Sequence, residues 1–340
     1  MKNSLKLIIA VALIAGLVFL NLCVGSANIN FEEFWNYFIG KSCDSTNSFI
    51  IGYRINSSLT AVFAGAGLAV AGLLLQTLFN NPLADPSVLG ISSGASVGVA
   101  CCLLIFGSSQ LSVLHFTPIS RQMVVSAASF IGTIPVLLLL LLLSKRTNNK
   151  LVILITGLMF SFINSSIVTI VEFFSMKESL YSYVMWGMGS FSNVPSEMMT
   201  VFIVSIAVVL TMSFFLIKPL NAVLLGDNYA ANLGVNVKRL RFFCILFSGV
   251  IIALITAYCG PIGFIGLAVP HIVRMLLKTS DHAMLLVACI IFGAALSLLC
   301  LLITRLPGFD GALPVNVVTA IIGAPILIKI LFTPSIKNAK

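Results

Sequence analysis

Side chains able to do covalent or redox chemistry are few and scattered in this 340-residue chain. The three histidines, His115, His271 and His282, are far apart in sequence, and only His271, three residues before Arg274, stands out. That pairing reads as a hydrogen-bonded histidine at a helix end ahead of a proton relay. The eight cysteines (Cys23, Cys43, Cys101, Cys102, Cys244, Cys259, Cys289 and Cys300) form no CxxC, and most sit in apolar runs. They read as small packing residues, with neither a metal site nor a disulfide framework. No GxxxxGK[ST] occurs, so the chain does not hold ATP through a P-loop, and neither HExxH nor GxSxG is present. The unusual residues act on the backbone instead. Asn81, Pro82, Asp85, Pro86, Gly90 and Gly94 punctuate one segment, and Gly260, Pro261, Gly263, Gly266 and Pro270 punctuate another. Pro removes a backbone donor and Gly relaxes the helix, so both segments are expected to turn or break a helix and serve as hinges.

The elements around these segments are apolar and long. The chain is 59% apolar and 9% charged, with a mean hydropathy of +1.12. Soluble domains carry roughly 25% charged residues, so this composition specifies a polytopic, all-α membrane protein. A bilayer-crossing helix takes about 20 apolar residues. Ten segments qualify: Leu5–Val24, Ser57–Leu78, Leu89–Phe106, Gln122–Leu143, Leu151–Glu172, Glu197–Ile217, Arg241–Tyr258, Gly263–Leu277, Ala283–Ile303 and Val315–Phe332. The eighth is short and interrupted by Gly and Pro, and a re-entrant reading of it would change the count. The first, preceded by Lys2 and Lys6, also resembles a cleaved signal peptide, but it is longer than an ordinary signal core and is read as an uncleaved helix. With the N-terminus inside, Lys145, Arg146, Lys150, Lys218, Lys238, Arg239, Arg241, Arg274 and Lys278 all fall on the inner side, while most acidic residues fall outside. This positive-inside pattern supports ten spans with both termini in the cytoplasm. The net charge of +9 is therefore a topology signal and gives no reason to expect a nucleic acid. Carboxylates at mid-membrane depth, which an ion-coupled carrier would bury, are nearly missing, so the energy for any movement is expected from a partner.

The connections differ in character. Gly25–Tyr53 carries Phe31, Phe34, Trp35 and Tyr37 at helical spacing, which suits a short helix lying at the interface. Ser57–Leu78 is rich in Gly and Ala and should be a central, protein-surrounded helix, with Gln76 turned toward protein or a cavity. Phe173–Pro195 reads as a partly helical outer segment. The loop 218–241 contains Leu224-Leu225-Gly226-Asp227-Asn228-Tyr229-Ala230-Ala231-Asn232-Leu233-Gly234, which reads as one short helix with Asp227 as its cap or in its first turn and Gly234 as its stop. Its apolar side, Leu224, Leu225, Tyr229 and Leu233, wants either a partner surface or the protein's own membrane domain. The Gly260–Arg274 segment breaks at membrane depth, where interrupted backbone survives only when enclosed by protein or lining a wet cavity.

Asn81–Ala95, Gly226–Gly234 and Gly260–Arg274, in this order and spacing, resemble the permease subunits of bacterial ABC importers for iron chelates and cobalamin, the iron–siderophore, haem and cobalamin uptake family. The resemblance extends to Gly323-Ala324-Pro325 in the last span. It implies a ten-helix, cobalamin-importer-permease-like fold, with residues 1–340 forming a single permease domain in the bacterial cytoplasmic membrane. It further implies a second permease copy (identical or a related subunit), two ATP-binding subunits, an extracytoplasmic substrate-binding protein and no cofactor. Within this resemblance Leu224, Leu225, Gly226, Asp227, Tyr229, Ala230, Leu233 and Gly234 are similar to the helix that couples to the ATPase. Thr147, Asn148 and Asn149 match part of the cytoplasmic gate, with a plain polar turn as the equal alternative. Thr169–Ser192 matches the outer gate. Arg54 and Arg305 match arginines that receive acidic residues of the binding protein, and a snorkelling interface anchor is the rival reading of Arg54. The family's Arg-x-Pro-Arg stretch reads Arg54-Ile55-Asn56-Ser57 here, without the proline and second arginine.

The expected function is thus ATP-driven import of an iron chelate through a non-catalytic membrane subunit, with siderophore-iron first and haem or cobalamin behind it. A secondary carrier working without an ATPase and a membrane scaffold or sensor are the alternatives. The interrupted helices argue against the scaffold.

Overall fold

A computed structural model describes residues 2–25, 39, 45–105, 118–147, 149–306 and 313–332. The aromatic interface segment at 31–37, Cys43, His115 and Asn148 lie outside the described residues. Helix α1 spans Lys2–Cys23, α2 Ser45–Phe79, α3 Ile91–Ala100 (continued by a π-helical turn, Cys101–Ile105), α4 Pro118–Arg146, α5 Lys150–Phe173, α6 Lys177–Gly187 and α7 Ser196–Ser213. There follow α8 at Ile217–Val223, α9 at Asp227–Asn232, α10 at Val237–Cys259, α11 at Ile265–Leu277, α12 at His282–Thr304 and α13 at Val315–Phe332. Among the described residues, seven helices have the length and composition to cross a membrane, and three shorter apolar helices (Ile91–Ile105, Ile265–Leu277, Val315–Ile328) accompany them. Together they correspond to the ten expected segments. The partly helical segment expected after Phe173 is α6.

Helix α2 is the axis of the bundle, with 83% of its apolar window buried against 22% for α5. Its small residues explain this placement. A Cβ on Gly65 would overlap the Gly293 carbonyl of α12, and one on Gly72 would overlap the Gly266 carbonyl of α11. Backbones that close gain dispersion contacts that side chains would prevent, the main source of cohesion between helices in lipid. Gln76, near the end of α2, is buried and donates from Nε2 to the Leu267 carbonyl (3.1 Å) while Oε1 accepts from Arg274 (2.5 Å). It faces protein, as expected.

Two boundaries differ from expectation. Helix α2 begins at Ser45, twelve residues before the expected Ser57. The added stretch, Ser45–Asn56, is too polar to read as a span, yet it continues the same helix past the apolar core. The expected single helix at Leu224–Gly234 is divided: Leu224 closes α8, Gly226 turns with φ of 110°, and only Asp227–Asn232 is helical. A residue at that φ cannot continue an α-helix, and Gly alone adopts it without strain.

Candidate functional site

The two punctuated segments, some 170 residues apart in sequence, meet in space. After α2, Asn80 takes a positive φ of 47°, the Asn81 side chain accepts from Leu83 N (2.9 Å), and Pro82 follows in the turn. The Asp85 carboxylate accepts from Ser87 N (3.3 Å) and Ser87 Oγ, capping a short 3₁₀ turn that opens at Pro86. Ala84, Pro86, Leu89 and Gly90 are buried, so the chain turns inside the protein. A Cβ on Gly266 would meet both the Pro86 ring and the Leu68 carbonyl. Leu68 lies 11 residues before the end of α2, so the segment re-enters the bundle by about 16 Å at 1.5 Å per residue. Gly90 (φ 77°) sits against the Gly157 carbonyl of α5, and Gly94 against the Gly132 carbonyl of α4.

On the other side, α10 ends at Gly260 (φ 75°), and the chain runs unhelical through Pro261 and Gly263 to Phe264. Phe264 holds a φ of 69°, a strained value for a residue with a side chain, and its ring lies against Gly323 of α13. Asn316 fixes this break. Its Nδ2 donates to the Pro261 carbonyl (2.6 Å) and the Gly187 carbonyl (3.3 Å), and its Oδ1 accepts from Gly263 N (3.2 Å). One amide thus satisfies two backbone groups freed by the interruption and a third at the end of α6. Pro270 lies inside α11, past its first turn. A cavity of about 250 Å³ opens where Ser87 and Ser92 face Pro261–Phe264 and Asn316. The two segments therefore meet through Pro86 and Gly266 and across this cavity, which Asn316, a residue with no local sequence signal, also lines.

At one end of the bundle, α9 stands on the surface. Leu224, Leu225, Tyr229 and Leu233 are 48%, 67%, 50% and 60% exposed, while Ala230 is buried beneath them. The Asp227 Oδ1 is paired with Lys150 Nζ at 2.9 Å. Gly234 stops the helix with φ of 84°, as expected. Thr147 and Asn149 form a turn that is also a cap. Thr147 Oγ1 accepts from Asn149 N (3.1 Å), and Asn149 Oδ1 accepts from Leu151 N (2.9 Å) at the start of α5. The buried Arg241 donates to the Thr147 carbonyl (2.7 Å). On the far side of α9, Asn221 donates to Asp281 (2.7 Å) and accepts from His282 N (2.8 Å) and Nδ1 (2.7 Å). With Nδ1 donating, the neutral His282 ring accepts from Thr77 at Nε2 (2.9 Å). The Asn221 bond holds the Asp281 carboxyl below its usual range. The histidine with a defined network is thus His282, and His271 lies within α11, away from a helix end.

At the opposite end, Arg54 is placed by the early start of α2. It lies inside α2, not in a loop, and is 4% exposed. Its Nη1 donates to the Leu22 (2.7 Å) and Cys23 (3.2 Å) carbonyls, the unpaired end of α1. A cation there satisfies orphan acceptors and complements the helix dipole. Arg305 closes α12, remains partly exposed, stacks over Tyr53 (5.7 Å) and donates to Ser57 Oγ and the Asn21 carbonyl (3.4 Å). Ser57 occupies the position where the second arginine was missing, and it serves as an acceptor for Arg305.

Known proteins share this architecture. The FecCD transport family model matches residues 12–333. The vitamin B12 import system permease protein BtuC of Salmonella paratyphi A is 33% identical over 283 residues, covering 83% of each chain. BtuC of Citrobacter koseri is 34% identical over 285 residues, covering 83% of this chain and 82% of its own. A solved structure described as an inward-facing conformation of an ABC transporter assigned to the metal-chelate type superposes with a TM-score of 0.82 at 28% identity, covering 96% of this chain and 98% of that one. The fold and the hinge define a multi-pass inner-membrane permease. The chain belongs to the FecCD transport family and is a permease subunit of an ABC importer, as its sequence led us to expect.

Proposed function

We propose that this permease carries a metal chelate, siderophore-iron first and haem or cobalamin next, across the bacterial cytoplasmic membrane, driven by a separate ATPase that grips α9. The observation that carries the reading is the exposed apolar set Leu224, Leu225, Tyr229 and Leu233 around a helix of six residues. Burying such a side chain contributes roughly 1.5–3 kcal/mol, so four of them make a surface that favours a partner. On this reading Gly226, Asp227, Ala230 and Gly234 shape the helix, and both termini lie on its side of the membrane. Two ATP-binding subunits serve two permease copies, identical or related, and a substrate-binding protein docks at the opposite end.

Helix α5 supports a path between the copies. Its largely unburied face presents Ser165, Ser166 and Thr169, whose hydroxyls need a polar surface or their own helix in lipid. Ser166 and Thr169 bond to the Phe162 (2.9 Å) and Ser165 (3.0 Å) carbonyls, leaving a weakly polar wall suited to a large cargo that must be released. Thr147, Asn148 and Asn149 act as the inner gate and 169–192 as the outer one. Arg305 is the outer arginine that meets acidic groups of the binding protein, with Arg54 supporting it from behind. Co-purification with the ATPase tests the reading. Wild type is expected to retain the subunit, and Leu225→Asp with Leu233→Asp to lose it while still inserting in the membrane; retention by the double variant would refute it.

A further inference from the structure

We propose that Lys150 is the residue that transmits movement of α9 to the path: its ion pair with Asp227, backed by the Arg241 bond to the Thr147 carbonyl, latches the start of α5 to the coupling segment. This rests on the reading of α9 as the ATPase contact and adds the route by which its movement reaches the cargo.

The geometry joins two places 77 residues apart in sequence. Lys150 is the first residue of α5, and its Nζ lies 2.9 Å from Asp227 Oδ1 at the start of α9. Three further contacts fix the adjoining turn. Arg241 Nη1 donates to the Thr147 carbonyl at 2.7 Å, Lys145 Nζ lies 4.9 Å from the centre of the Phe242 ring, and Asn149 caps α5. The turn before α5 is therefore tied both to α9, through Lys150, and to the start of α10, through Arg241 and Phe242.

The two partners differ in freedom. Helix α9 lies between Gly226 (φ 110°) and Gly234 (φ 84°), and nothing lies within 4 Å of where either would carry a Cβ. Glycine at both ends makes these the points where α9 can change direction relative to α8 and α10. Helix α5 has only 22% of its apolar window buried, and it is held on one side, where Ile153 and Val168 are buried and Asn164 Nδ2 donates to Ser93 Oγ of α3 (3.0 Å). The close approach nearest the latch is at Gly157, which rests on the Leu89 backbone of the re-entrant segment. Gly157 lies seven residues, about 10 Å, from Lys150, so a push at the latch turns α5 about that point. The Asp281–Asn221–His282–Thr77 chain ties α8 to α2 and α12, giving the lever a fixed base.

A plain surface ion pair contributes about 0–1 kcal/mol to stability, so loss of this one should leave the fold intact. Its role appears in coupling. The test uses the permease reconstituted in vesicles with its ATPase, presented with cyanocobalamin, haemin and a ferric hydroxamate siderophore in turn. ATPase retention, ATP hydrolysis and cargo uptake are measured together. Lys150→Met is expected to keep the ATPase bound and hydrolysing while uptake per ATP falls about ten-fold. Lys150→Arg, which preserves the charge and reach to Asp227, is expected to restore it. Unchanged uptake per ATP in Lys150→Met overturns the latch, as does an Arg variant as defective as the Met one. Loss of ATPase binding in Lys150→Met also overturns it, because Lys150 would then belong to the docking surface. Failure of wild type to bind the ATPase refutes the docking reading itself and removes the latch's premise.

Discussion

The two ends of this bundle use their distinctive residues in opposite ways. At the α9 end, apolar side chains face outward: Leu225 and Leu233 are 67% and 60% exposed. At the other end, charged side chains turn inward: Arg54 closes α1, and Arg305 reaches Ser57 and Asn21. An exposed apolar cluster is held in place for something outside the chain, because water disfavours it and the fold does not need it. A buried guanidinium bonded to carbonyls is held by the fold itself. The lesson is that the arginines matched by type at the end away from α9 are bonded within the fold, whereas Leu224, Leu225, Tyr229 and Leu233 at the α9 end leave about half or more of their surface free.

This contrast can be broken in order of expected effect. Leu225→Asp with Leu233→Asp should weaken ATPase binding by about a hundred-fold or more, read by co-purification, with no change in melting temperature. Arg54→Ala should do the reverse: it removes charged hydrogen bonds to the end of α1, costing about 1.5–3 kcal/mol of stability, read by thermal unfolding in detergent, while ATPase binding persists. Ser57→Arg, which recreates the family's second arginine, sets two guanidinium groups together where Ser57 now accepts from Arg305. A loss of roughly 1 kcal/mol is expected, relieved by pairing it with Arg305→Ser. Asn149→Ala should have the smallest effect, about 1 kcal/mol or less from a lost N-cap on α5. If Arg54→Ala left stability unchanged but abolished binding-protein capture, Arg54 would be a docking group and not an internal brace, and the contrast would fail.

What the sequence disclosed follows the physics of each signal. Apolar length is local, so Val315–Phe332 was bounded correctly and each of the other nine segments was located. Backbone interruption is also local, so both interrupted segments were legible, and small residues in the second span announced its central position. Three features were not legible because their cause lies elsewhere in the chain. The α2 extension carries Thr46, Asn47, Arg54 and Asn56, which read as a loop until the end of α1 and Ser196 supply partners for Arg54 and Asn56. Asn316 is an ordinary residue near a helix start until the Pro261–Gly263 break is seen to need its amide. Lys150 and Asp227 are two surface charges until folding sets them 2.9 Å apart. The division at Gly226 was missed for a different reason: glycine near a helix start is read as a tolerated residue, and only its φ reveals the turn.

On the proposed function, energy enters at the exposed α9 surface. The most direct measurement is uptake by vesicles holding the purified permease, with and without its ATPase and ATP, against a cargo gradient. Accumulation is expected only when ATPase and ATP are both present, and it should vanish with Leu225→Asp and Leu233→Asp. Accumulation against the gradient by the permease alone would contradict the central claim.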